Sequence, residues 1–494
     1  MWRYYEPILA KTDPTLVDQL EFGFDMGIQN EESINIPVTN HRSARDEFQV
    51  IDEFIIKHHK DGSLLGPYLF NPLPVHVKPS PMQVAKSSSG KKRPVLDMSY
   101  PKGSSVNDSI SSNWNDIGEF KGEFRLPTHD QICKAALTTP DPVMFITDMK
   151  AYYMQLPSEW KSAPLMALTW RGAIFFHRRL PFGCRSSCLH AQRVTDGVVA
   201  IYSTETGNHL SGYVDDFCSI IRQIISALAY EYFQALADKL GLLRTLEKCM
   251  IPDKIRIFLG LLYNLADMTM SLPDEKVLRA IGLLTDWLNK DQCSKQQAQS
   301  LLGHVNHISA VIHAGRPFTA RIVDLLRSAQ FPAEVSQDLK SDIGVWINFL
   351  QSDFQKKCII KSQELAVADQ VLKVAVKGQT CVIICDGNID AFKLHVSVPK
   401  VPNHAMYAIA VWQASCKYKD MFKDSIIKIS VPTKAAAMVI NRARTPCTII
   451  RPLIRQMWMV QAYNDFLVKA VTQSNQNDSV YDFFLDFKDI KLPK

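Results

Sequence analysis

Hydrophobic and polar positions along the chain change pattern several times, and each pattern predicts a type of element. The apolar run PVMFITDM (142–149) ends in an acid and predicts a buried strand, and GAIFFHRRL (172–180) predicts another. Apolar residues at helical spacing predict helices at 186–205 and 225–242. In HLSGYVDDFCSII (209–221), two adjacent acids separate two apolar segments, which predicts a hairpin with the acids in its turn.

The pattern also divides the chain into regions. Residues 1–60 mix helical periodicity with polar loops, and we assign them to an N-terminal extension. From 61 the chain becomes rich in Pro and Gly, and 82–99 (MQVAKSSSGKKRPVLDMS) predicts a hairpin with a basic tip. Residues 276–350 are helical without a strand signal. Near 370 strands return at 371–388 and 392–399, followed by two helices around 452–470. We therefore place boundaries at 60/61, 275/276 and 370/371.

Composition favours a soluble, multidomain intracellular protein. The 494 residues are 46% hydrophobic and 21% charged, with a net charge of +6, so a large core is available and a polyanionic partner is compatible. No apolar run approaches the roughly 18 residues of a membrane span. The 11 cysteines form no paired CxxC motifs, which favours reduced thiols over zinc ligation. Nothing here distinguishes cytoplasm from nucleus.

Three acids stand at positions where they can hold metal ions. Asp148 ends one predicted strand, and Asp215 and Asp216 occupy the predicted hairpin turn. Nucleotidyl transfer uses two divalent ions about 4 Å apart, and Mg²⁺ prefers oxygen ligands, so these carboxylates fit two Mg²⁺ ions, with Mn²⁺ as a substitute. An acid at a strand end is more often a solvated cap. Two adjacent acids in an apolar turn repel each other unless a cation is present, which favours the metal interpretation.

The order of these elements carries a family resemblance. FITDMKAYYMQLP, RRLPFGCRSS and GYVDD resemble the motifs of retroelement reverse transcriptases, and RDEFQVIDEFIIKHHKDGSLLGPY and SLLGHVNHISAVIHAGRPF most resemble DIRS-type retrotransposons. The resemblance implies an α+β right-hand polymerase with fingers and palm (61–275) and a helical thumb or connection (276–370), followed by a ribonuclease H-like α/β domain (371–494). It implies an RNA-directed DNA polymerase that uses an RNA template, a DNA primer, their hybrid and deoxynucleoside triphosphates. A recombinase partner would be encoded elsewhere.

The resemblance also assigns roles to single residues. It makes Asp148, Asp215 and Asp216 the metal ligands, and Tyr153 the side chain beneath the sugar that excludes a 2′-hydroxyl. Tyr153 could equally be a core tyrosine. The remaining expected positions are the triphosphate ligands Lys86 and Arg93, the base-pair contacts Phe182 and Gly183, the template or primer contacts Arg185, Tyr213, Leu259 and Gly260, and Lys248 as the proton donor to pyrophosphate. For Lys86 and Arg93 the alternative is a solvated basic turn. For Lys248 it is an exposed lysine at the end of a helix.

The last domain departs from the family pattern. Asp386 and Asp482 fit two of the four expected acids, but Thr433 stands where a glutamate is expected. Two acids bind metal poorly, so we expect a degenerate ribonuclease H-like domain. This erosion motivates the alternative of a domesticated or inactive reverse-transcriptase-derived protein that only binds nucleic acid. An unrelated metal-dependent phosphotransferase would explain the acids, but not the LPFG segment or the basic hairpin.

Overall fold

The computed structural model describes residues 1–36, 39–87, 90–328, 330–352, 356–358, 371–377, 380–385, 388–393, 403–422, 426–431, 433–443, 445, 450–464 and 467–472. The chain divides into two compact units, Met1–Arg256 (unit 1) and Ile257–Lys494 (unit 2). Within the described ranges, no helix is both long enough and apolar enough to cross a membrane.

Unit 1 combines short sheets with helices. Its strands are β1 Leu64–Tyr68, β2 Met82–Lys86, β3 Lys92–Leu96, β4 Pro142–Asp148, β5 Ala167–Trp170, β6 Ala173–His177, β7 Ser211–Tyr213, β8 Asp216–Arg222 and β9 Met250–Asp253. Its helices are α1 Glu6–Leu9, α2 Leu16–Phe22, α3 Arg42–Asp46, α4 Phe48–Lys60, α5 His129–Thr138, α6 Arg185–Thr206 and α7 Ser226–Lys239.

An antiparallel sheet in the order β7–β8–β4–β9 positions the three acids. All residues of β4 are buried, which confirms the buried strand predicted at 142–149 except for its last residue. The rings of Phe145 and Phe217 lie 5.6 and 5.5 Å from Phe233 of α7, so aromatic packing covers one face of the sheet. The strand predicted at 172–180 is confirmed as the shorter β6, and the helices predicted at 186–205 and 225–242 are confirmed as α6 and α7.

Unit 2 begins with β10 Ile255–Phe258, which starts in unit 1. Its further strands are β11 Leu261–Asn264, β12 Thr269–Ser271, β13 Gln292–Cys293, β14 Ala333–Glu334, β15 Lys356–Cys358, β16 Val371–Lys377, β17 Thr380–Cys385, β18 Asn388–Lys393, β19 Ile426–Val431 and β20 Leu467–Thr472. Its helices are α8 Asp274–Leu288, α9 Lys295–Ile308, α10 Ala320–Ser328, α11 Gln337–Leu350, α12 Asn403–Lys417, α13 Lys419–Phe422, α14 Lys434–Arg442 and α15 Arg451–Tyr463.

The described part of unit 2 corrects two predictions. The helix expected through 470 ends at Tyr463, and Leu467–Thr472 is a strand that pairs in parallel with β19. Val468 and Ala470 are buried in the core, so the pattern after the helix has the two-residue period of a strand. The short β13–β14 pair also interrupts the region predicted as wholly helical. The last sheet has the order β18–β17–β16–β19–β20, with parallel pairing of β16–β19 and β19–β20.

Candidate active site

The turn between β7 and β8 carries one of the three acids. Tyr213 and Asp216 form the last cross-strand pair, which leaves Val214 and Asp215 as the two turn residues. Val214 has a φ of +53°, a strained conformation for a β-branched residue. The surrounding structure must hold such a turn.

Helix α6 supplies the contacts that hold this turn. The Val214 N–H donates to Oε1 of Gln192 at 2.8 Å, and the Thr195 hydroxyl donates to the Val214 carbonyl at 2.5 Å. Nε2 of Gln192 also donates to the Gly212 carbonyl at 2.9 Å. Both sides of the strained residue are therefore fixed by side chains from one helix.

The sheet register brings the three acids to the same end of the sheet. Asp148, the last residue of β4, pairs directly with Asp216 of β8, and the N–H of Met149 donates to the Asp215 carbonyl at 2.8 Å. Burial raises the pKa of Asp216 to about 6, and the negative charges of Asp215 and Asp148 add to this effect. Burial also raises the pKa of Asp215. The structure thus concentrates negative charge where it is poorly solvated.

Two cations face this negative charge. Nζ of Lys248, in the 3-10 turn Leu246–Lys248, lies 2.7 Å from Oδ2 of Asp148, and this hydrogen bond raises the pKa of Lys248. The positive charge of Arg93 opposes the upward pKa shift of Asp215, which shows that Arg93 lies within electrostatic range of the turn. The structure therefore brings Lys248 into contact with Asp148, and the charge of Arg93 acts on Asp215.

The chemistry of these side chains fits a hard divalent cation. All the donors are carboxylate oxygens, and a cation would favour the charged forms that burial and mutual repulsion disfavour. Among the residues that the structure describes, no three His, Cys, Asp or Glu side chains come close enough to form a ligand cluster. Magnesium is typically held by only one or two protein carboxylates, with phosphate and water completing the shell. Two of the three acids would therefore be enough to hold a magnesium ion.

Tyr153 lies beside the acids on the 3-10 turn Tyr152–Gln155. Its ring centroid is 5.8 Å from that of Phe182, at an angle of 37°, and the negative charge of Asp215 acts on its hydroxyl. The Phe182 side chain is half exposed, as expected for a side chain that contacts a ligand. Tyr153 and Phe182 thus form one aromatic surface next to the catalytic turn.

The LPFG segment, residues 180–183, is held against strand β3 by a backbone hydrogen bond. The Leu96 N–H donates to the Phe182 carbonyl at 3.1 Å, and Gly183 has a φ of +127°. A Cβ on Gly183 would lie 1.9 Å from the Leu96 carbonyl oxygen, so only glycine fits. Nδ2 of Asn107 donates to the Gly183 carbonyl, and its Oδ1 accepts from the Arg185 N–H, both at 2.8 Å.

Two other basic side chains that were predicted to contact nucleotide or template, Arg185 and Lys86, are bonded to groups of this chain. Nη1 of Arg185 donates to the Ile110 carbonyl at 2.7 Å. Lys86 pairs across the hairpin with Lys92, and the two amines lie 2.8 and 2.5 Å from the carboxylate of Glu47. Arg93 belongs to the adjacent cross-strand pair and so projects from the opposite face of the hairpin. The structure brings Arg93 to the acids but directs Lys86 to Glu47.

The remaining predicted positions fall in unit 2 or outside the described residues. Leu259 and Gly260 form the turn between β10 and β11, with φ of +47° and +80°, which is typical of a type I′ hairpin. Asp386 and Asp482 lie outside the described residues. Thr433 caps α14, where its hydroxyl accepts from the Ala436 N–H at 3.2 Å.

Sequence reasoning missed the side chains that support the site. Gln192 and Thr195 are three residues apart on α6, so they lie on one face of the helix. Several of the buried side chains of α6 are polar, and a buried polar residue needs a partner, so these two positions could have been singled out from the sequence. Asn107, in the 3-10 turn Asn107–Ser109 far away in sequence, gave no such signal.

Comparisons with known proteins agree with this geometry. Residues 84–263 match the model of the family described as reverse transcriptase (RNA-dependent DNA polymerase). A search of curated proteins finds no match. Among solved structures, the chain is similar to a foamy viral protease–reverse transcriptase, dRH, in complex with double-stranded DNA, with 14% identity, a TM-score of 0.51, and coverage of 97% of this chain and 82% of that chain. It is also similar to the foamy viral protease–reverse transcriptase in complex with an RNA/DNA hybrid, with 15% identity, a TM-score of 0.51, and coverage of 90% and 55%.

The matched segment contains every predicted polymerase site residue, from Lys86 to Gly260. The chain therefore carries a reverse transcriptase domain, and its fold is that of reverse transcriptases. The activity of this domain is RNA-directed DNA polymerisation, a nucleotidyl transfer.

Proposed function

We propose that this chain is the polymerase of a DIRS-type retroelement, and that it adds deoxynucleotides to a DNA primer on an RNA template with two Mg²⁺ ions. The observation that carries the proposal is the edge of the sheet where Asp148, Asp215 and Asp216 meet, opposite Lys248 and Arg93. The DIRS assignment rests on the sequence segments that flank the catalytic motifs.

The metal site would use Asp148 and Asp215, with Asp216 as a nearby weaker ligand. The ions, when bound, activate the primer 3′-hydroxyl and neutralise the leaving pyrophosphate. Arg93 has the fork of donors that suits phosphate oxygens, and it lies near Asp215. Lys248 keeps its proton, and its side chain is 60% exposed, so it can reach a leaving phosphate and act as a general acid.

The aromatic surface would select the nucleotide. In this proposal the ring of Tyr153 lies beneath the sugar and excludes a 2′-hydroxyl, while Phe182 and Gly183 lie against the nascent base pair. The contact between the rings of Tyr153 and Phe182 and the close approach of Gly183 to Leu96 support this placement. Lys86 would reach the triphosphate only after release from Glu47.

Nucleic acid is the proposed partner. The foamy viral structures contain double-stranded DNA or an RNA/DNA hybrid, and the net charge of this chain is +6. Template and primer would be held mainly through phosphate contacts, with Arg185, Tyr213, Leu259 and Gly260 near the strands. The proposed domains are fingers and palm at 61–275, helical thumb at 276–370 and a ribonuclease H-like domain at 371–494.

We propose that the last domain is degenerate. Its strand order, with three antiparallel strands followed by two parallel ones, supports a ribonuclease H-like fold. Thr433 caps a helix at the position where the family pattern requires a metal-binding acid. Such a domain would pack in the enzyme and contact hybrid duplex without cutting it.

One assay with a labelled RNA template and a DNA primer tests both proposals. The full chain should extend the primer with deoxynucleotides and Mg²⁺, stop on chelation and resume when Mg²⁺ is restored. The RNA strand of the product should stay intact. Extension that is insensitive to chelation contradicts the metal site, and RNA cleavage abolished by Asp386→Asn contradicts the degenerate domain.

A further inference from the structure

Strand β7 packs directly against helix α6, just before the catalytic turn. Gly212 makes this close approach possible, because a Cβ at this position would lie 2.2 Å from Cγ2 of Thr195. The surface of α6 therefore fixes where the hairpin lies, and a side chain that is held firmly on α6 can hold the turn after β7 in place.

The amide of Gln192 makes three hydrogen bonds, two to the hairpin and one to its own helix. Its Oε1 accepts from the Val214 N–H at 2.8 Å, and its Nε2 donates to the Gly212 carbonyl at 2.9 Å and to Oδ1 of Asp196 at 2.8 Å. The amide nitrogen has two hydrogens, so both are used. A backbone N–H can only donate and a carbonyl can only accept, so these partners also settle which end of the amide is the oxygen.

The bond to Asp196 differs from the other two because its partner lies outside the hairpin. Asp196 follows Gln192 by four residues on α6, a spacing at which an amide and a carboxylate reach each other. A hydrogen bond to a carboxylate is also stronger than one between neutral groups. Without this bond only the hairpin would orient the amide, and the two could then shift together. The carboxylate ties the amide to the helix.

Asp196 also lines an open cavity of about 720 Å³ that is bounded by α5, α6 and β7. Solvent reaches its side chain there, so a shorter side chain at this position leaves no buried void. Asp196 can therefore be replaced with little loss of stability, and an effect on the turn can be separated from an effect on folding.

We propose that Asp196 is a positioning residue for catalysis: through the amide of Gln192 it holds the turn that carries Asp215 where that carboxylate can bind metal. The inference rests on the proposed function, because it takes Asp215 as a metal ligand of the polymerase. It adds a determinant of metal binding at a position that none of the catalytic motifs contains.

The first test is primer extension by the full chain on an RNA template as a function of Mg²⁺ concentration. Asp196→Ala should raise the half-saturating Mg²⁺ concentration by about tenfold, the order expected for one lost hydrogen bond to a charged group, with a Tm close to wild type. Asp196→Glu should restore most of the wild-type value, because a longer carboxylate four residues away still reaches the amide.

A direct measurement of metal binding gives a second readout that does not depend on catalysis. Titration of the free chain with Mn²⁺, followed by the electron paramagnetic resonance signal of the unbound ion, should show weaker binding in Asp196→Ala and recovery in Asp196→Glu. Lys134→Ala changes the wall of the same cavity on α5 and should leave both the Mg²⁺ and the Mn²⁺ dependence unchanged.

A double-mutant cycle tests whether Asp196 acts through Gln192. Gln192→Ala should weaken metal dependence at least as much as Asp196→Ala, and the double variant should be no worse than Gln192→Ala. If Gln192→Ala does not fold, the comparison of Asp196→Ala with Asp196→Glu still decides.

Three results would overturn the inference while wild-type extension upholds the polymerase function. They are additive effects in the cycle, a shift of less than about twofold in Asp196→Ala, and a lower Tm with unchanged metal dependence. If wild type extends no primer, both proposals fail.

Discussion

Among the glycines that the structure describes, Gly183 leaves the least room for a side chain. Its φ of +127° and the 1.9 Å approach of a Cβ to the Leu96 carbonyl oxygen impose both strain and a clash. Gly183→Ala should lower the free energy of unfolding by more than the about 1–3 kcal/mol of backbone strain alone, and should abolish most primer extension. Gly172→Ala is the control, because Gly172 has a φ of +81° but open space around it. Equal losses in urea unfolding for the two variants would contradict the clash.

Residue positions could be predicted where the sequence pattern sets them directly, and less well where tertiary geometry decides. The meeting of the three acids at one end of the sheet was predictable, because Asp148 ends a buried strand and Asp215 and Asp216 lie at a hairpin. The direction of Lys86 was not, because a shift of one position in a strand reverses the face of the sheet. The supporting positions Gln192 and Thr195 required knowledge of what α6 packs against.

His209 links the start of β7 to β8 and makes this hairpin sensitive to acid. Its Nδ1 accepts from the Ile220 N–H at 3.4 Å, and its Nε2 lies 3.0 Å from the Ser211 hydroxyl, an arrangement that suits the neutral ring. Burial lowers the pKa of His209 to about 4. The unfolded chain has a histidine pKa near 6.5, so it takes up a proton first as the pH falls.

The expected result is a loss of stability between pH 6.5 and 4, and none from this group above pH 6.5. Between pH 7 and 5 the free energy of unfolding should fall by about 2 kcal/mol more in wild type than in His209→Gln, at 1.36 kcal/mol per pKa unit. Urea unfolding at both pH values measures this difference. His177, whose pKa burial lowers to about 3, acts in the same direction in both proteins and cancels. Identical pH dependence in the two proteins would refute the role of His209.

Whether a segment forms a helix or a strand could be predicted where a single hydrophobic period continues along the whole segment. The all-buried β4 and the long α6 are examples, because a continuous apolar run and a 3.6-residue period are unambiguous over their lengths. Strand β20 follows α15 after a break of only three residues, and its alternation is too short to stand out from the helix before it. Pairing with β19, which no local pattern encodes, makes it a strand.

At the scale of the whole molecule, a buried carboxylate joins distant parts of unit 2. Asp342 of α11 is 2% exposed and lies 2.7 Å from Nη1 of Arg321 and 2.6 Å from Nη2 of Arg455. These arginines belong to α10 and α15, so the helical region and the last α/β region share one ion network. Removal of the acid would leave two arginines without their buried counter-charge.

Asp342→Ala should therefore destabilise unit 2 by about 3–5 kcal/mol. Asp338→Ala is the matched control, because Asp338 contacts the same Arg321 at 2.9 Å but its side chain is 76% exposed, so its loss should cost under about 1 kcal/mol. Urea unfolding of the full chain gives both values. If the two variants are equally stable, Asp342 does not hold unit 2 together. The sequence predicted the order of these regions, but not this ion network, because Arg455 lies 113 residues away from Asp342 along the chain.

Single-nucleotide extension of a DNA primer on an RNA template, with Asp215→Asn beside wild type, tests the central claim most directly. Asp46→Asn, the same change at an exposed position on α3, is the control. We expect wild type and Asp46→Asn to extend the primer equally. Asp215→Asn, with the turn intact but a metal-binding carboxylate lost, should extend it at least about 100-fold more slowly, in line with the several kcal/mol that a catalytic metal supplies. Equal extension by Asp215→Asn and wild type would contradict the assignment of the active site.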